Sequence, residues 1–397
     1  MVIQRQGVRQ VDYSVIAIVL LICFCGLFAI KSATHMTTHP MALVGKQLLG
    51  VAIGTTCMLW LAMHEYETLL KRFARSLYIV NIVLLAIVIL KGHTSHGAAR
   101  WIQLGPFQLQ PSEFAKIILI STLSFYLVGN IETIRTWPTV LRSFLHVAIP
   151  MLLIAKQPDL GTALVIMAIW FGVMTMAGAK MLHLGAFILG GVLLFAIVWH
   201  FNPGHVLKDY QKNRLQVFIN PDADPRDTGY HLRQSEIAIG SGGTSGEEHS
   251  DRPDIESLPW YDFRRVADFV TSRYQRGAQS NGKFIPEQHT DFIFTVVGEE
   301  GGFIVCVALL ALYLLLLERG VVILANCTDP LGRMLAAGVI SMLTFHIVVN
   351  SGMTMGIMPV VGVPLPFFSY GLSSLIVNMS GVGLLLSVAA RKHRAMF

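Results

Sequence analysis

Pro286-Glu287-Gln288-His289-Thr290-Asp291-Phe292-Ile293-Phe294 marks the point where the chain leaves its longest polar stretch and enters an apolar run. A carboxylate at the mouth of an apolar span is costly, so Asp291 reads as a functional residue. Further along, Thr295, Gly298 and Gly302 fall at roughly i+4, i+7 and i+11 and share its helical face. Their small side chains predict a shallow groove beneath the acid, shaped for a long, thin substrate.

Outward from this junction, composition fixes the class. The 397 residues are 53% hydrophobic and 14% charged, with a mean hydropathy of +0.58. That is too little polar surface for a soluble globule and enough length for many spans of roughly 20 residues each. The chain reads as a single all-α polytopic membrane domain over residues 1–397. Windows of roughly 19 residues place spans beginning near 13, 43, 73, 112, 144, 160, 183, 292, 334 and 372.

Ten spans put both termini on one side. Arg5, Arg9, Lys71, Arg72, Arg75, Arg135, Arg142, Lys180, Arg319, Arg333, Arg391, Lys392 and Arg394 fall on alternate connections. The positive-inside rule makes those connections, and with them both termini, cytoplasmic. The first apolar run ends at Lys31-Ser32-Ala33-Thr34 without a clear small-residue cleavage site and is expected to stay as a span. The net charge of +6 fits an anionic lipid surface but discriminates little. Cys23, Cys25, Cys57, Cys306 and Cys327 lack metal-ligand spacing and the look of a disulfide framework, so they are expected to be plain core residues.

Four polar segments then face outward: 92–110, 156–159, the large loop 201–290 between spans seven and eight, and 357–374. In the first, Arg100-Trp101 supplies a cation and an amphipathic ring at headgroup level, Pro111 suits a helix start, and Glu113 and Lys116 face one another on the next turn. These residues form either an interface anchor with a structural ion pair or a phosphate-binding cluster. In the second, Lys156-Gln157-Pro158-Asp159-Leu160-Gly161-Thr162-Ala163 joins two spans. Asp159 serves there either as a helix cap or as a substrate contact.

The large loop opens with Tyr210-Gln211-Lys212-Asn213-Arg214-Leu215-Gln216-Val217-Phe218-Ile219-Asn220-Pro221. Asp222-Ala223-Asp224 has the Asp-x-Asp form of a metal-diphosphate site, but its flanking prolines favour a turn. Gln234-Ser235-Glu236-Ile237-Ala238-Ile239-Gly240-Ser241-Gly242-Gly243 reads as a short amphipathic helix with a glycine stop. In the last segment, Met358-Pro359-Val360-Val361-Gly362-Val363-Pro364-Leu365-Pro366-Phe367-Phe368-Ser369-Tyr370-Gly371 is too proline-rich for a helix. Such backbone at membrane depth must pack in protein or line a cavity, which Ser369, with Asn350 and His346 nearby, would help polarise.

GAARWIQLGPFQLQPSEFAK, KQPDLGTA, YQKNRLQVFINPDADP, QSEIAIGSGG, FIPEQHTDFIFTVVGEEGG and PVVGVPLPFFSYG, in this order among ten spans, resemble the shape, elongation, division and sporulation (SEDS) family over nearly the whole chain. KQPDLGTA and YQKNRLQVF are most similar to its elongation branch, the RodA-like proteins. The resemblance implies a peptidoglycan glycosyltransferase that polymerises lipid II at the outer face of the bacterial plasma membrane during elongation and shape maintenance. It places the key acid on Asp291 and the other polar positions on Asp159, Glu113, Lys116 and Arg100, with Lys156 in a matching segment. It also implies undecaprenyl-diphosphate-linked glycan as a ligand, and as partners a class B penicillin-binding protein and other elongation-complex membrane proteins, with no nucleic acid.

In that reading Asp291 is the base toward a sugar hydroxyl. Arg100, Lys116 and Lys156 offset charge on the departing diphosphate, where a divalent cation, magnesium or manganese, is also chemically suited. Two other functions fit the same composition: flipping of the lipid-linked precursor, or a non-catalytic scaffold of the elongation machinery. Acids at outer mouths rather than at the midplane suit one-sided chemistry better than transport.

The chain departs from the family pattern at Ala99, where arginine is frequent, and at Leu372, where a second glycine is frequent. The larger departure is 244–273, a charged insertion flanked by Thr244-Ser245 and Thr271-Ser272 that carries a short amphipathic pattern at 261–270. A cloning scar, chance or a lineage-specific insert would each produce that repeated dipeptide.

Overall fold

The computed structural model describes residues 12–34, 40–91, 93–95, 98–104, 107–201, 209–220, 224, 228–246 and 288–391. Most of the 244–273 insertion, its 261–270 pattern and Asp222-Ala223 lie outside them. Ten described helices are long and apolar enough to cross a membrane. They are α1 (Tyr13–Ala33), α2 (Pro40–Met63), α3 (Tyr66–Lys91), α4 (Pro111–Val128), α5 (Trp137–Lys156), α6 (Leu160–Ala177), α7 (Met181–Phe201), α10 (Ile293–Ala325), α11 (Pro330–Thr354) and α12 (Leu372–Ala389). Between the seventh and eighth spans lie α8 (Asp209–Ile219) and α9 (Thr228–Ser241).

The spans form where expected, but several start earlier than hydropathy places them: α3 at Tyr66 rather than 73 and α5 at Trp137 rather than 144. The added residues, 66–72 and 137–143, include Glu67, Lys71, Arg72 and Arg142, and a helix continues past the apolar core because its own backbone hydrogen bonds are satisfied at any depth. The segment expected as an anchor loop instead folds as a small antiparallel sheet of β1 (His93–Ser95), β2 (Ala98–Leu104) and β3 (Phe107–Leu109). Leu104 pairs with Phe107 across Gly105-Pro106.

Small residues let the spans approach closely, because lipid offers no hydrophobic gain for pairing them. Gly50 and Gly54 of α2 make a Gly-x-x-x-Gly face on α12: a Cβ at Gly50 would lie 2.8 Å from Leu372 Cδ1, and one at Gly54 would strike Met379. The bulk of Leu372, unusual for the family pattern, therefore rests on a glycine of α2. The five cysteines are free, three of them buried, as expected of core residues.

The eighth span departs from expectation. Gly302, at φ 67° and ψ −170°, breaks α10 into 293–301 and 303–325, a conformation essentially confined to glycine. Every residue of 293–302 is buried, whereas Phe303 and Ile304 are 66% and 62% exposed. The lipid-facing span is thus 303–325, about 35 Å at the helical rise per residue. The Asp291 motif feeds a separate, protein-enclosed helix.

Candidate active site

The ends of α5, α11 and the turn at 288–292 meet the starts of α4, α6 and α12 at one end of the bundle, and the proline-rich segment 355–371 threads among them. Its backbone groups find partners in protein, as burial demands. Tyr313 Oη donates to Pro366 O at 2.6 Å, Gln47 Nε2 donates to Ser369 O at 3.1 Å and Gly371 N donates to Gln47 Oε1 at 3.1 Å. Ser369 Oγ accepts from Leu365 N at 2.8 Å, so this hydroxyl closes a turn in the segment.

Asp291 stands in the turn before α10, half-buried. Asn350 Nδ2 donates to its backbone carbonyl at 2.9 Å and to Val363 O at 2.7 Å, and Tyr370 N donates to His289 O at 2.8 Å. The carboxylate lies over Gly362, whose φ is +73°; a Cβ there would stand 3.2 Å from Asp291 Oδ2. On its other side the same segment carries Gly161 of α6, where a Cβ would meet Val361 O at 3.0 Å and Gly362 O at 3.2 Å. Residues 361–363 therefore separate the Asp291 turn from the start of α6, where Asp159 lies.

Asp159 is buried and caps α6. Its Oδ1 accepts from Thr162 N at 3.2 Å, and its Oδ2 accepts from Thr162 Oγ1 and Ser112 Oγ at 2.9 Å and from Gln110 Nε2 at 3.1 Å. It joins the start of α6 to the start of α4, a tie beyond what a helix cap requires.

Lys116 is fully buried with Glu113. Its Nζ donates to Glu113 Oε2 at 2.8 Å and lies 3.1 Å from His346 Nε2 on α11. His346 Nδ1 lies 2.7 Å from Met342 O. The carbonyl can only accept, so Nδ1 carries the proton and Nε2 accepts from the ammonium. Arg100 on β2 donates from Nε to Gln157 O at 3.0 Å and from Nη2 to Pro158 O, and so holds the corner between α5 and α6. Lys156, in the last turn of α5, is exposed. Of the two readings for Glu113, Lys116 and Arg100, this geometry has the features of internal ties.

The groove expected beneath Asp291 is filled by the chain itself, which corrects that expectation. Thr295 Oγ1 is 2.5 Å from Ser235 Oγ of α9, and Ser235 Oγ also donates to Thr354 O at 2.8 Å. A Cβ at Gly298 would lie 2.9 Å from Ile239 Cγ1, and one at Gly302 would strike Ser245 and Gly246. The orphan amides opened by the Gly302 break are capped by the glycine stop after α9: Phe303 N donates to Gly243 O at 2.9 Å and Ile304 N to Thr244 O at 3.1 Å. The smallness of that face accommodates a helix of the loop, not a lipid tail.

Arg214 escaped the sequence reading as a site residue. Its Nη1 lies 3.8 Å from the same Cβ position on Gly362 that approaches Asp291. The available signal was the i, i+3 pair of Arg214 and Val217 in a segment read as loop and found as α8. Among the described residues, no three His, Cys, Asp or Glu side chains cluster as a metal site.

The chain matches the cell cycle protein family of FtsW, RodA and SpoVE over residues 12–260 and 274–394. The chain belongs to this family. The gap in the match falls inside the 244–273 departure. It is 34% identical to the peptidoglycan glycosyltransferase MrdB of Escherichia coli strain K12 over 98% of this chain and 95% of the relative. The peptidoglycan glycosyltransferase RodA of Treponema pallidum is 32% identical, with 98% and 99% covered. Among solved structures, a chain of a peptidoglycan synthase complex superposes with a TM-score of 0.74 at 30% identity, covering 97% of this chain and 99% of that one. The rod shape determining protein RodA of Thermus thermophilus gives 0.66 at 28% identity, with 97% and 98% covered. The SEDS membership and ten-span architecture read from sequence stand.

Proposed function

We propose that this SEDS protein is a peptidoglycan glycosyltransferase of the elongation branch, polymerising lipid II into glycan strands with Asp291 as its general base. The observation that carries the role of Asp291 is its placement: a half-buried carboxylate at one end of the bundle, fixed through its backbone by Asn350 and seated over Gly362. Support for the activity comes from relatives named peptidoglycan glycosyltransferases that align over nearly the full chain.

Asp291 takes the proton of a sugar hydroxyl as that oxygen bonds to the anomeric carbon of a second, lipid-diphosphate-linked sugar. The bond from that carbon to the diphosphate breaks, and its electron pair leaves with the diphosphate. A single displacement of this kind inverts the anomeric centre. Asp159, Glu113, Lys116, Arg100 and Ser369 serve this chemistry mainly by fixing the elements that carry it, and Lys156, exposed at the end of α5, is open to substrate. A divalent cation, magnesium or manganese, would be held on the protein side by the Asp291 carboxylate and would supply positive charge to the diphosphate.

The reading puts the site at the outer face of the bacterial plasma membrane with both termini cytoplasmic, as the distribution of lysine and arginine supports. The related chain solved within a peptidoglycan synthase complex supports a class B penicillin-binding protein as partner. Purified protein incubated with labelled lipid II in detergent should yield glycan polymer, and Asp291→Ala should abolish it. Full polymerisation by Asp291→Ala would remove the proposed base.

A further inference from the structure

Departure of a diphosphate is helped by a cation near the reacting carbon, and two of the three cations nominated from sequence are held by internal partners. Lys116 is fully buried against Glu113 and His346, Arg100 is bonded to the carbonyls of Gln157 and Pro158, and Lys156 is exposed on the last turn of α5. The guanidinium found beside Asp291 belongs to Arg214 on α8.

Its position is built into the fold. Val217, one turn beyond Arg214 on the same face of α8, is buried in a small satellite core with Leu232 of α9, Phe292, Met353 and Val360. Phe292 adjoins Asp291 in the chain, and Val360 lies two residues before Gly362. One apolar cluster thus ties the helix carrying the arginine, the turn carrying the acid and the segment carrying the glycine. Gly362 leaves open the space between them: a Cβ there would stand 3.8 Å from Arg214 Nη1 and 3.2 Å from Asp291 Oδ2. Among the described residues, Arg214 has no hydrogen-bond or ion-pair partner.

We propose that Arg214 binds the diphosphate of the lipid-linked substrate beside Asp291. A guanidinium presents paired donors that match phosphate oxygens and stays charged throughout the reaction. As the bond from the anomeric carbon to the diphosphate breaks, the electron pair moves onto a diphosphate oxygen and Arg214 stabilises the charge there, while the hydroxyl proton passes to Asp291. This role rests on the glycosyltransferase reading and adds to it the residue that holds the leaving group.

The test uses the full chain in detergent, farnesyl diphosphate as a soluble probe with farnesol and inorganic pyrophosphate as controls, and the variants Arg214→Gln and Arg214→Lys. Arg214→Gln should weaken farnesyl diphosphate binding at least tenfold and raise the KM for lipid II. Arg214→Lys should recover part of both, and pyrophosphate but not farnesol should compete with the probe. Should Arg214→Gln fail to fold, Arg214→Lys carries the comparison, with a threefold or greater loss of probe affinity expected. Wild-type probe affinity in a folded Arg214→Gln or, failing that, in Arg214→Lys overturns the proposal. Arg214-dependent binding of the probe by a wild-type protein that makes no glycan would leave the diphosphate site standing and remove the glycosyltransferase reading.

Discussion

Asn350 holds Asp291 by its backbone: the buried side-chain amide on α11 donates to the Asp291 carbonyl at 2.9 Å, and its second bond, at 2.7 Å, reaches Val363 O. One side chain thereby sets the distance between the acid and the segment beneath it. Asn350→Leu removes both donors and leaves the buried Val363 carbonyl unsatisfied, at about 1–3 kcal/mol. We expect kcat for lipid II polymerisation to fall at least tenfold, since about 1.4 kcal/mol of misplacement suffices for that. The KM should change much less. Steady-state kinetics on the purified variant separates the two.

The Glu113, Lys116 and His346 cluster makes a different prediction, because its members are buried and bonded to one another. Removing one partner of a buried ion pair leaves an uncompensated charge, at about 3–5 kcal/mol. Lys116→Met should therefore lower the melting temperature in detergent clearly, and the double variant Lys116→Met/Glu113→Gln should recover part of the loss. A residue that only contacted phosphate would instead leave thermal stability unchanged and impair turnover. Additive losses in the double variant would argue against coupling of the pair.

What the sequence made legible follows from the range over which each signal acts. Hydropathy is local, so ten spans could be read. Capping is local too: Asp159 accepts from Thr162 three residues on, and Gly242-Gly243 end α9 as the glycine stop predicts. Lys116 and His346 are 230 residues apart, and nothing local marks their pairing. Gly302 sits in an apolar run whose periodicity carries no record of φ, so 293–325 reads as one helix. The small face of Thr295, Gly298 and Gly302 is legible in the sequence, but not that α9 fills it, because Ser235 and Ile239 reach that face from some 60 residues away.

That occupation can be tested at Gly242. A Cβ there would collide with the Gly298 backbone carbonyl, which no side-chain rotation can relieve. Gly242→Ala should push α9 off the 293–301 helix, at a cost of about 1–3 kcal/mol for overpacking. Polymerisation should fall while 303–325 stays in place as a span. Hydrogen exchange followed by mass spectrometry should then show protection lost in peptides from 228–246 and 288–301 and retained in those from α2 and α12.

Gly362 gives the sharpest separation of stability from activity. At φ +73° any L side chain is strained, by about 1–2 kcal/mol. The added methyl of Gly362→Ala would also press on Asp291 Oδ2 from 3.2 Å and fill the space shared with Arg214 Nη1. Strain alone predicts a modest fall in melting temperature and a protein that still works when folded. Displacement of the carboxylate predicts a loss of turnover well beyond that, at least a hundredfold at a temperature where the variant is fully folded. Comparing polymerisation rates with the folded fraction at that temperature decides between them. Activity that tracks the folded fraction would mean that the acid does not depend on the space above Gly362.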